Sequence, residues 1–129
     1  MKALSEADCY ERLRSASIGR MGVVAEGGQI IHPVNYATDG RSIVVKVDVN
    51  SLLAVNAPMS QAAFEVDDID VDEHRGWSVL LRGVCHDVTD AIDLTSEGLR
   101  DLDVSPWAPG DKSCWLKITP TEVTGRSIP

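Results

Sequence analysis

The stretch from Arg20 to Val49, RMGVVAEGGQIIHPVNYATDGRSIVVKVDV, decides the fold. Gly27-Gly28 separates two β-rich runs, a pattern that favours a hairpin with a two-residue turn. Thr38-Asp39-Gly40 predicts a second tight turn, and the third run, Ser42–Val49, places every second apolar residue on one face. The stretch therefore predicts a three-stranded antiparallel meander.

A short helix is predicted before the meander. Ser5 and Asp8 match a capping box, so the helix begins after Ser5 and runs to about Ala16, with Gly19 as its stop signal. A second, shorter helix is predicted after the meander, where Ser51 can cap a segment that ends at Asn56.

The remaining sequence adds strands to the meander. The acidic segment Asp67–Arg75 is too polar to bury, and we expect a solvated loop there. The other predicted elements are strands at 61–66, 76–88, 114–119 and 122–126, a helix at about 91–102 and a loop at 106–110. Together they predict one domain, residues 1–129, that is mainly β with short helices (α+β) and folds as an antiparallel barrel of six or seven strands.

Composition bounds the function. The chain has 129 residues, with 12 Lys and Arg against 20 Asp and Glu and a formal charge of -8. A non-specific binder of nucleic acid or of anionic membranes needs the opposite balance of charge.

No apolar run approaches the ~20 residues of a membrane-spanning helix, and the first residues lack a signal-peptide core, so we expect a cytoplasmic protein. Cys9, Cys85 and Cys114 are widely spaced and are expected to be reduced and mostly buried.

Common catalytic and metal-binding motifs are missing from the sequence. Asp68-Ile-Asp-Val-Asp72 resembles the start of a calcium loop, but Glu73 and Val79 stand where the glycine and the bidentate glutamate belong. Gly76-Trp-Ser-Val-Leu80 lacks the second glycine of the G-x-S-x-G motif that carries the nucleophilic serine of many hydrolases. No phosphate-binding glycine loop is present in the sequence. We therefore expect no metal and no catalytic side chain.

Aromatic and amide side chains remain as candidate binding residues. Trp77 and Trp115 fit either the core or a site. Trp107, between two prolines in a predicted loop, is suited to stacking on a planar ligand or on a partner subunit. Asn35 lies in an apolar strand and needs a hydrogen-bonding partner.

These motifs, in this order, resemble a known family over nearly the whole chain. They are Leu4 with Cys9, Ile18-Gly-Arg-Met-Gly22, His32-Pro-Val-Asn-Tyr36, Phe64-Glu-Val-Asp-Asp68, Gly76-Trp-Ser-Val79, Pro106-Trp107 and Val123-Thr-Gly-Arg126. The pattern resembles the pyridoxamine 5'-phosphate oxidase-like, flavin-binding split-barrel family, and within it the small actinobacterial-type members, some of which are grouped with nitroimidazole-resistance proteins.

The resemblance implies a split β-barrel homodimer that binds FMN, or in some relatives a deazaflavin, in two clefts between subunits. The implied cofactor-binding residues are His32, Pro33, Val34, Asn35, Lys46, Val47, Ser51, Trp77, Ser78 and Trp107. The isoalloxazine would lie against Pro33–Asn35, and the partner subunit would add residues near Trp77-Ser78 or Trp107. The flavin would carry the hydride, and the protein would position it for a small-molecule substrate.

One departure from the family pattern leaves three functions open. Relatives carry a Thr, a Gly and a Lys where this chain has Val47, Asn50 and Leu52, so the implied phosphate site loses two donors and lies near Asp48. The chain is therefore expected to be an FMN-dependent oxidoreductase, a non-catalytic binding or regulatory protein that has lost FMN, or a deazaflavin-binding relative.

Overall fold

The computed structural model describes residues 1–90 and 114–129. In chain order these residues form β1 (Lys2–Ala3), α1 (Glu6–Ser15), β2 (Ile18–Ala25), β3 (Gly28–Asp39), β4 (Ser42–Val47), α2 (Leu52–Asn56), β5 (Gln61–Asp70), β6 (Arg75–Asp87) and β7 (Cys114–Ile128). The predicted helix at 91–102 and the predicted loop at 106–110, with Trp107, lie outside the described residues.

The strands form one antiparallel sheet that closes on itself. Its order is β1-β7-β4-β3-β2-β5-β6, and β6 also pairs with β7, which joins the two ends into a barrel. The barrel is split at β3, because residues 28–35 of this strand pair with β2 whereas residues 36–39 pair with β4. Along residues 28–35, the edge opposite β2 has no strand partner among the described residues. The predicted mainly β, split-barrel fold is confirmed.

Alternate residues of each strand fill the barrel. Phe64, Met21 and Leu81 are fully buried in the main core, as are Leu116 and Ile118. Residues at alternate positions belong to the opposite, outer side of the sheet, which is the pattern of a strand with one buried face. The predicted inner face of the third strand is confirmed at Ile43, Val45 and Val47, whereas Val49 lies beyond the end of β4 and is exposed. Val44, on the opposite face, is also fully buried and packs in a second cluster with Val88 and Trp115.

Helix α1 packs across the barrel and is tied to β3. Ser5 caps the helix as predicted, because its hydroxyl accepts a hydrogen bond from the Asp8 amide at 3.1 Å. The Tyr36 hydroxyl donates to the Leu13 carbonyl at 2.5 Å, and burial raises the pKa of Tyr36 to about 12. The Tyr36 ring also meets Phe64 edge-on, with ring centroids 4.8 Å apart.

The predicted stop signal at Gly19 is wrong. Helix α1 ends at Ser15, and Gly19 lies inside β2, where a Cβ atom would come within 2.3 Å of Phe64 Cζ. The predicted turn is also shifted by one residue, because Ala25 pairs with Gly28 and leaves Glu26-Gly27 as the connection. Gly27 has a φ of 92°, which favours glycine at that position.

The predicted acidic loop is wrong in its extent. Strand β5 continues to Asp70, which pairs with Arg75, so only residues 71–74 form the turn. The Asp70 carboxylate closes this turn by accepting hydrogen bonds from the amides of Asp72 and Glu73. Charged residues are tolerated at these strand ends because their side chains are exposed. The segment is therefore solvated, as predicted, although most of it is strand.

Three further features refine the prediction. The two closing strands are one long strand, β7, with a register shift opposite Arg82/Gly83, where Thr121 donates its hydroxyl hydrogen to the Arg82 carbonyl. The two-residue strand β1 was not predicted. All three cysteines are free and buried, as expected.

Neither described helix has the length and apolar character needed to cross a membrane.

Candidate functional site

One side of the barrel wall, here called the outer sheet face, is the outward side of β3, β2, β5 and β6 with the second half of β7. The strand registers align its side chains in rows across the strands. One row is Ile31, Gly22, Ala63, Arg82 and Glu122, and the next is Pro33, Arg20, Glu65, Leu80 and Thr124. The face therefore runs without interruption across five strands.

The centre of the outer sheet face is a shallow apolar groove. It has a volume of about 320 Å³ and is lined by Gly22, Ile31, Ala63 and Leu80, with charged residues at one end. Ile31 is 70% exposed and Leu80 is 39% exposed. Adjacent apolar side chains left open on a sheet are typical of a surface that binds another molecule.

A group of three charged residues borders this groove. Arg20 Nη1 lies 3.2 Å from Glu65 Oε1 and 3.4 Å from Asp67 Oδ2, so one guanidinium forms ion pairs with two carboxylates. Partial burial raises the pKa of Glu65 to about 7, with a further contribution from Asp67 and an opposing one from Arg20. The group can therefore hold a proton near neutral pH, because Glu65 is partly buried and shares its one cation with Asp67.

A second and larger groove lies where β1 joins β7 and is here called the β1 groove. It has a volume of about 610 Å³, and Glu65 and Leu80 form one of its walls. Its polar lining includes Lys2, Ser78, Thr124 and Arg126. The two grooves share a border, so the outer sheet face offers a continuous concave surface with an apolar part and a cationic part.

The four predicted residues on β3 divide between the two sides of the sheet. Val34 packs against the core, and His32 pairs with the buried Met21, so both belong to the inner side. Pro33 and Asn35 belong to the outer sheet face, beside the split where the β3 edge has no strand partner among the described residues. The outward residues of β3 therefore lie beside the split in the barrel.

The three predicted residues around β4 and α2 are already engaged within the chain. Val47 is buried in the core, and the Lys46 ammonium lies 5.3 Å from the centroid of the Trp115 ring. The Ser51 hydroxyl donates to the Asp48 carbonyl at 2.7 Å and accepts from the Ala54 amide at 3.1 Å. Ser51 is thus the predicted helix cap, and its hydroxyl hydrogen is committed to the turn.

Trp77 and Ser78 are neighbours on β6 that face opposite sides. Trp77 packs against the core, and the Arg12 guanidinium lies 5.4 Å from its ring centroid. Ser78 lies on the outer sheet face, opposite Arg126 in register. Of the predicted residues within the described part of the chain, Pro33, Asn35 and Ser78 therefore share one face, with β2 and β5 between them.

The charged residues of this face were missed by the sequence analysis. Arg20 and Glu65 each alternate with buried residues, and Arg126 with half-buried ones, so their outward direction could have been recognised from the strand pattern. Their proximity could not, since Arg20 and Glu65 are 45 positions apart. Among the described residues, no cluster of three or more His, Cys, Asp or Glu side chains is arranged to hold a metal ion.

Comparison with known proteins identifies the family. The family model described as pyridoxamine 5'-phosphate oxidase matches residues 5–127. The structure of the FAD binding protein from Mycobacterium smegmatis is 30% identical, with a TM-score of 0.79 and coverage of 99% of this chain and 98% of that one. A conserved protein of unknown function from Corynebacterium diphtheriae is 31% identical, with a TM-score of 0.78 and coverage of 98% and 97%. An uncharacterised protein of Mycobacterium tuberculosis is 28% identical over 97% of this chain and 84% of its own length. The chain belongs to the pyridoxamine 5'-phosphate oxidase family.

Proposed function

We propose that this chain is a flavin-binding oxidoreductase that holds FMN in two equivalent clefts between the subunits of a homodimer. The similar protein from M. smegmatis is described as FAD-binding, which supports a flavin as the ligand. A bound flavin supplies hydride transfer, so the chain's own residues have to bind, orient and shield it.

The observation that carries the proposal is the arrangement of Pro33, Asn35 and Ser78 on the outer sheet face. Three strand spacings separate β3 from β6, about 14 Å along the sheet, so one planar ring cannot contact both ends of the face in a single copy. In an isologous dimer the same patch is used twice. A twofold axis near Gly22 and Ala63 would set β3 of one copy against β6 of the other and would create two clefts.

The residues of β3 suit the ring of a flavin. The amide and carbonyl groups at the edge of the flavin ring require hydrogen-bonding partners. The edge of β3 along residues 28–34, which has no strand partner among the described residues, offers backbone donors and acceptors. Pro33 gives a flat apolar contact at the same level. The second copy would cover the ring and exclude water, with Ser78 as a hydroxyl that reaches the cleft.

Ligand titration tests the flavin. We expect the melting temperature to rise when FMN is added at ~100 µM, because a ligand well above its Kd stabilises the folded state. Parallel titrations with FAD, riboflavin and a deazaflavin identify the preferred cofactor. A chain whose melting temperature is unchanged by all four ligands is not a flavoprotein, and the non-catalytic alternative then replaces the proposal.

Substitution at the proposed twofold axis tests the dimer. Ala63→Arg places a charge at the centre of the outer sheet face, and we expect a monomer by light scattering with loss of flavin binding. Val71→Arg is the matched control, because Val71 is an exposed apolar residue in the β5–β6 turn. If Ala63→Arg remains a dimer that binds flavin, the assigned interface is wrong.

A further inference from the structure

Arg20 and Glu65 lie beside the point where the proposed twofold axis meets the outer sheet face. Gly22 of β2 pairs in register with Ala63 of β5, and Arg20 pairs with Glu65 two residues further along the same strands. Two residues of a strand span about 7 Å, so a second copy that covers Gly22 and Ala63 also covers the charged pair. A dimer built on this face therefore has to accommodate Arg20 and Glu65.

The direction of the axis follows from the order of the strands. They lie in the order β3-β2-β5-β6, so an axis that sets β3 of one copy against β6 of the other runs along the strands, between β2 and β5. It places each residue of β2 over its register partner on β5 of the second copy. Gly22 then lies over Ala63 of the second copy, and Arg20 lies over Glu65 of the second copy.

The charges of this group are incompletely balanced within one chain. The Arg20 guanidinium is shared between Glu65 and Asp67, whose side chains are only 33% and 30% exposed. Burial, with a contribution from Asp67, raises the pKa of Glu65 to about 7. In the separate chain, the Glu65 carboxylate therefore has too little water and too little positive charge around it.

We propose that Arg20 and Glu65 of both copies form a ring of four alternating charges across the twofold axis, with each Glu65 between two Arg20 side chains. This ring rests on the proposed homodimer, whose second copy supplies the cation that Glu65 lacks. Once the face is covered and water is excluded, each charge pair is stronger than on an open surface. The partner that this charged group recognises is therefore another copy of the chain.

Charge complementarity favours this axis over one that runs across the strands. An axis across the strands would lay β2 and β5 over themselves, so Arg20 would meet Val24 of the second copy and Glu65 would meet Gln61. Val24 is apolar and 67% exposed, and Gln61 has no charge. Covering charges with such residues removes water without supplying a counter-charge, which opposes association.

Charge reversal tests the ring at pH ~8, where Glu65 of the separate chain is mostly ionised. Arg20→Glu and Glu65→Arg each set like charges against each other twice across the axis. Each is expected to weaken dimer formation roughly 100-fold or more, measured by analytical ultracentrifugation without flavin. The double variant Arg20→Glu/Glu65→Arg restores the alternation and is expected to dimerise within about tenfold of the wild type.

A mixture of the two single variants separates contacts across the axis from contacts within one chain. In a mixed pair, the negative side chains of the Arg20→Glu chain face the positive side chains of the Glu65→Arg chain. Dimers are therefore expected to reappear on mixing, and native mass spectrometry identifies them as mixed pairs. The ion pair within each chain stays broken in this mixture, so it does not account for a recovery.

The double variant keeps the test valid where a single variant does not fold, which the melting temperature reveals. Its chain retains opposite charges at positions 20 and 65, as in the wild type. When the double variant is mixed with the wild type, like charges meet across the axis. The two proteins are therefore expected to dimerise separately and to form no mixed pairs.

The Arg82–Glu122 ion pair on the same face is the matched control. Arg82 of β6 and Glu122 of β7 are register partners that pair within one chain. An axis between β2 and β5 places neither of them over the other in the second copy. Mixing Arg82→Glu with Glu122→Arg is therefore expected to give no more dimer than either variant alone.

Failure of the ring differs from failure of the proposed function. A monomeric wild type would overturn both the homodimer and the ring. A wild-type dimer that the reversals leave intact, single variants that do not recover on mixing, or a double variant that pairs freely with the wild type would overturn the ring and retain the dimer. A chain that dimerises through the ring but takes up no flavin would overturn the flavin proposal alone.

Discussion

Strand β2 carries two glycines that face opposite sides of the barrel wall, and their surroundings differ. A Cβ at Gly19 would lie 2.3 Å from the Phe64 ring, whereas a Cβ at Gly22 would have no heavy atom closer than 3.6 Å. Along β2, the inner side of the barrel wall is therefore closely packed, whereas the outer side leaves room for an added side-chain atom. Since close packing stabilises the fold and open concave surface accepts ligands, the two sides have separate roles.

Polar groups follow the same division. On the inner side and at the helix ends, the Tyr36 hydroxyl is hydrogen-bonded to Leu13 and the Ser51 hydroxyl to Ala54. On the outer sheet face, Arg20 is shared between two carboxylates and Arg126 has no ion pair among the described residues. Groups of the first kind are expected to affect stability when substituted, and groups of the second kind to affect binding.

The largest effect is expected from Gly19→Ala compared with Gly22→Ala. Overpacking against Phe64 should lower the free energy of unfolding by about 1–3 kcal/mol at position 19. At position 22 the change should stay within about 0.5 kcal/mol, because the added methyl group makes only ordinary van der Waals contacts, the nearest at 3.6 Å. Urea denaturation of both variants measures the difference.

A compensating substitution sharpens this first prediction. Phe64→Leu shortens the side chain that Gly19 accommodates, so the Gly19→Ala/Phe64→Leu double variant should lose less stability than the sum of the single changes. Additive losses, or equal losses at Gly19 and Gly22, would contradict the division between a packed and an open side.

An intermediate effect is expected from Ser51→Ala. Loss of the helix cap should lower the free energy of unfolding by about 1 kcal/mol, measured by urea denaturation. The ratio of FMN to riboflavin affinity should remain unchanged, because the hydroxyl hydrogen is already donated to Asp48. Ser15→Ala, which removes a hydroxyl bonded only to the exposed end of α1, is the control. A selective loss of FMN affinity would instead place the cofactor phosphate at this turn.

The packed side was largely predictable from the sequence, and the open side was not. Alternation within a strand identified Ile43, Val45 and Val47 as buried, because these residues share one face of the strand. It did not identify Val44, which is fully buried on the opposite face. Gly19 was misinterpreted because its constraint comes from Phe64, 45 residues away, and not from the nearby helix. A two-residue strand such as β1 is too short to show any period.

The candidate site shows the same limit. The family resemblance predicted Pro33, Asn35 and Ser78, which the structure brings to one face. It also predicted Lys46 and Ser51, which instead contact Trp115 and the Asp48 carbonyl. Arg20, Glu65 and Arg126 come together only through strand register. A single sequence does not specify register across strands that are distant in the chain.

The smallest effect is expected at Glu65, which follows Phe64 on β5 and faces the other side of the sheet. Burial, followed by the neighbouring Asp67, raises the pKa of Glu65 to about 7 from an unfolded value of about 4.3. The folded state therefore holds this proton more tightly. Its contribution to stability is complete below pH ~4.3 and is lost as the pH rises through about 7. Glu65→Gln, which imitates the protonated form, should stabilise the protein at pH ~8 more than at pH ~5.

Urea denaturation of the wild type and of Glu65→Gln between these pH values measures that difference, and Asp67→Asn identifies its origin. Without the Asp67 carboxylate, the Arg20 guanidinium interacts with Glu65 alone. The pKa of Glu65 should therefore fall, and the loss of stability should move to lower pH. A constant difference between wild type and Glu65→Gln at every pH would mean that the carboxyl is as well solvated as in the unfolded chain. The outer sheet face would then be more open to water at Glu65 than its neighbours Leu80 and Ala63 indicate.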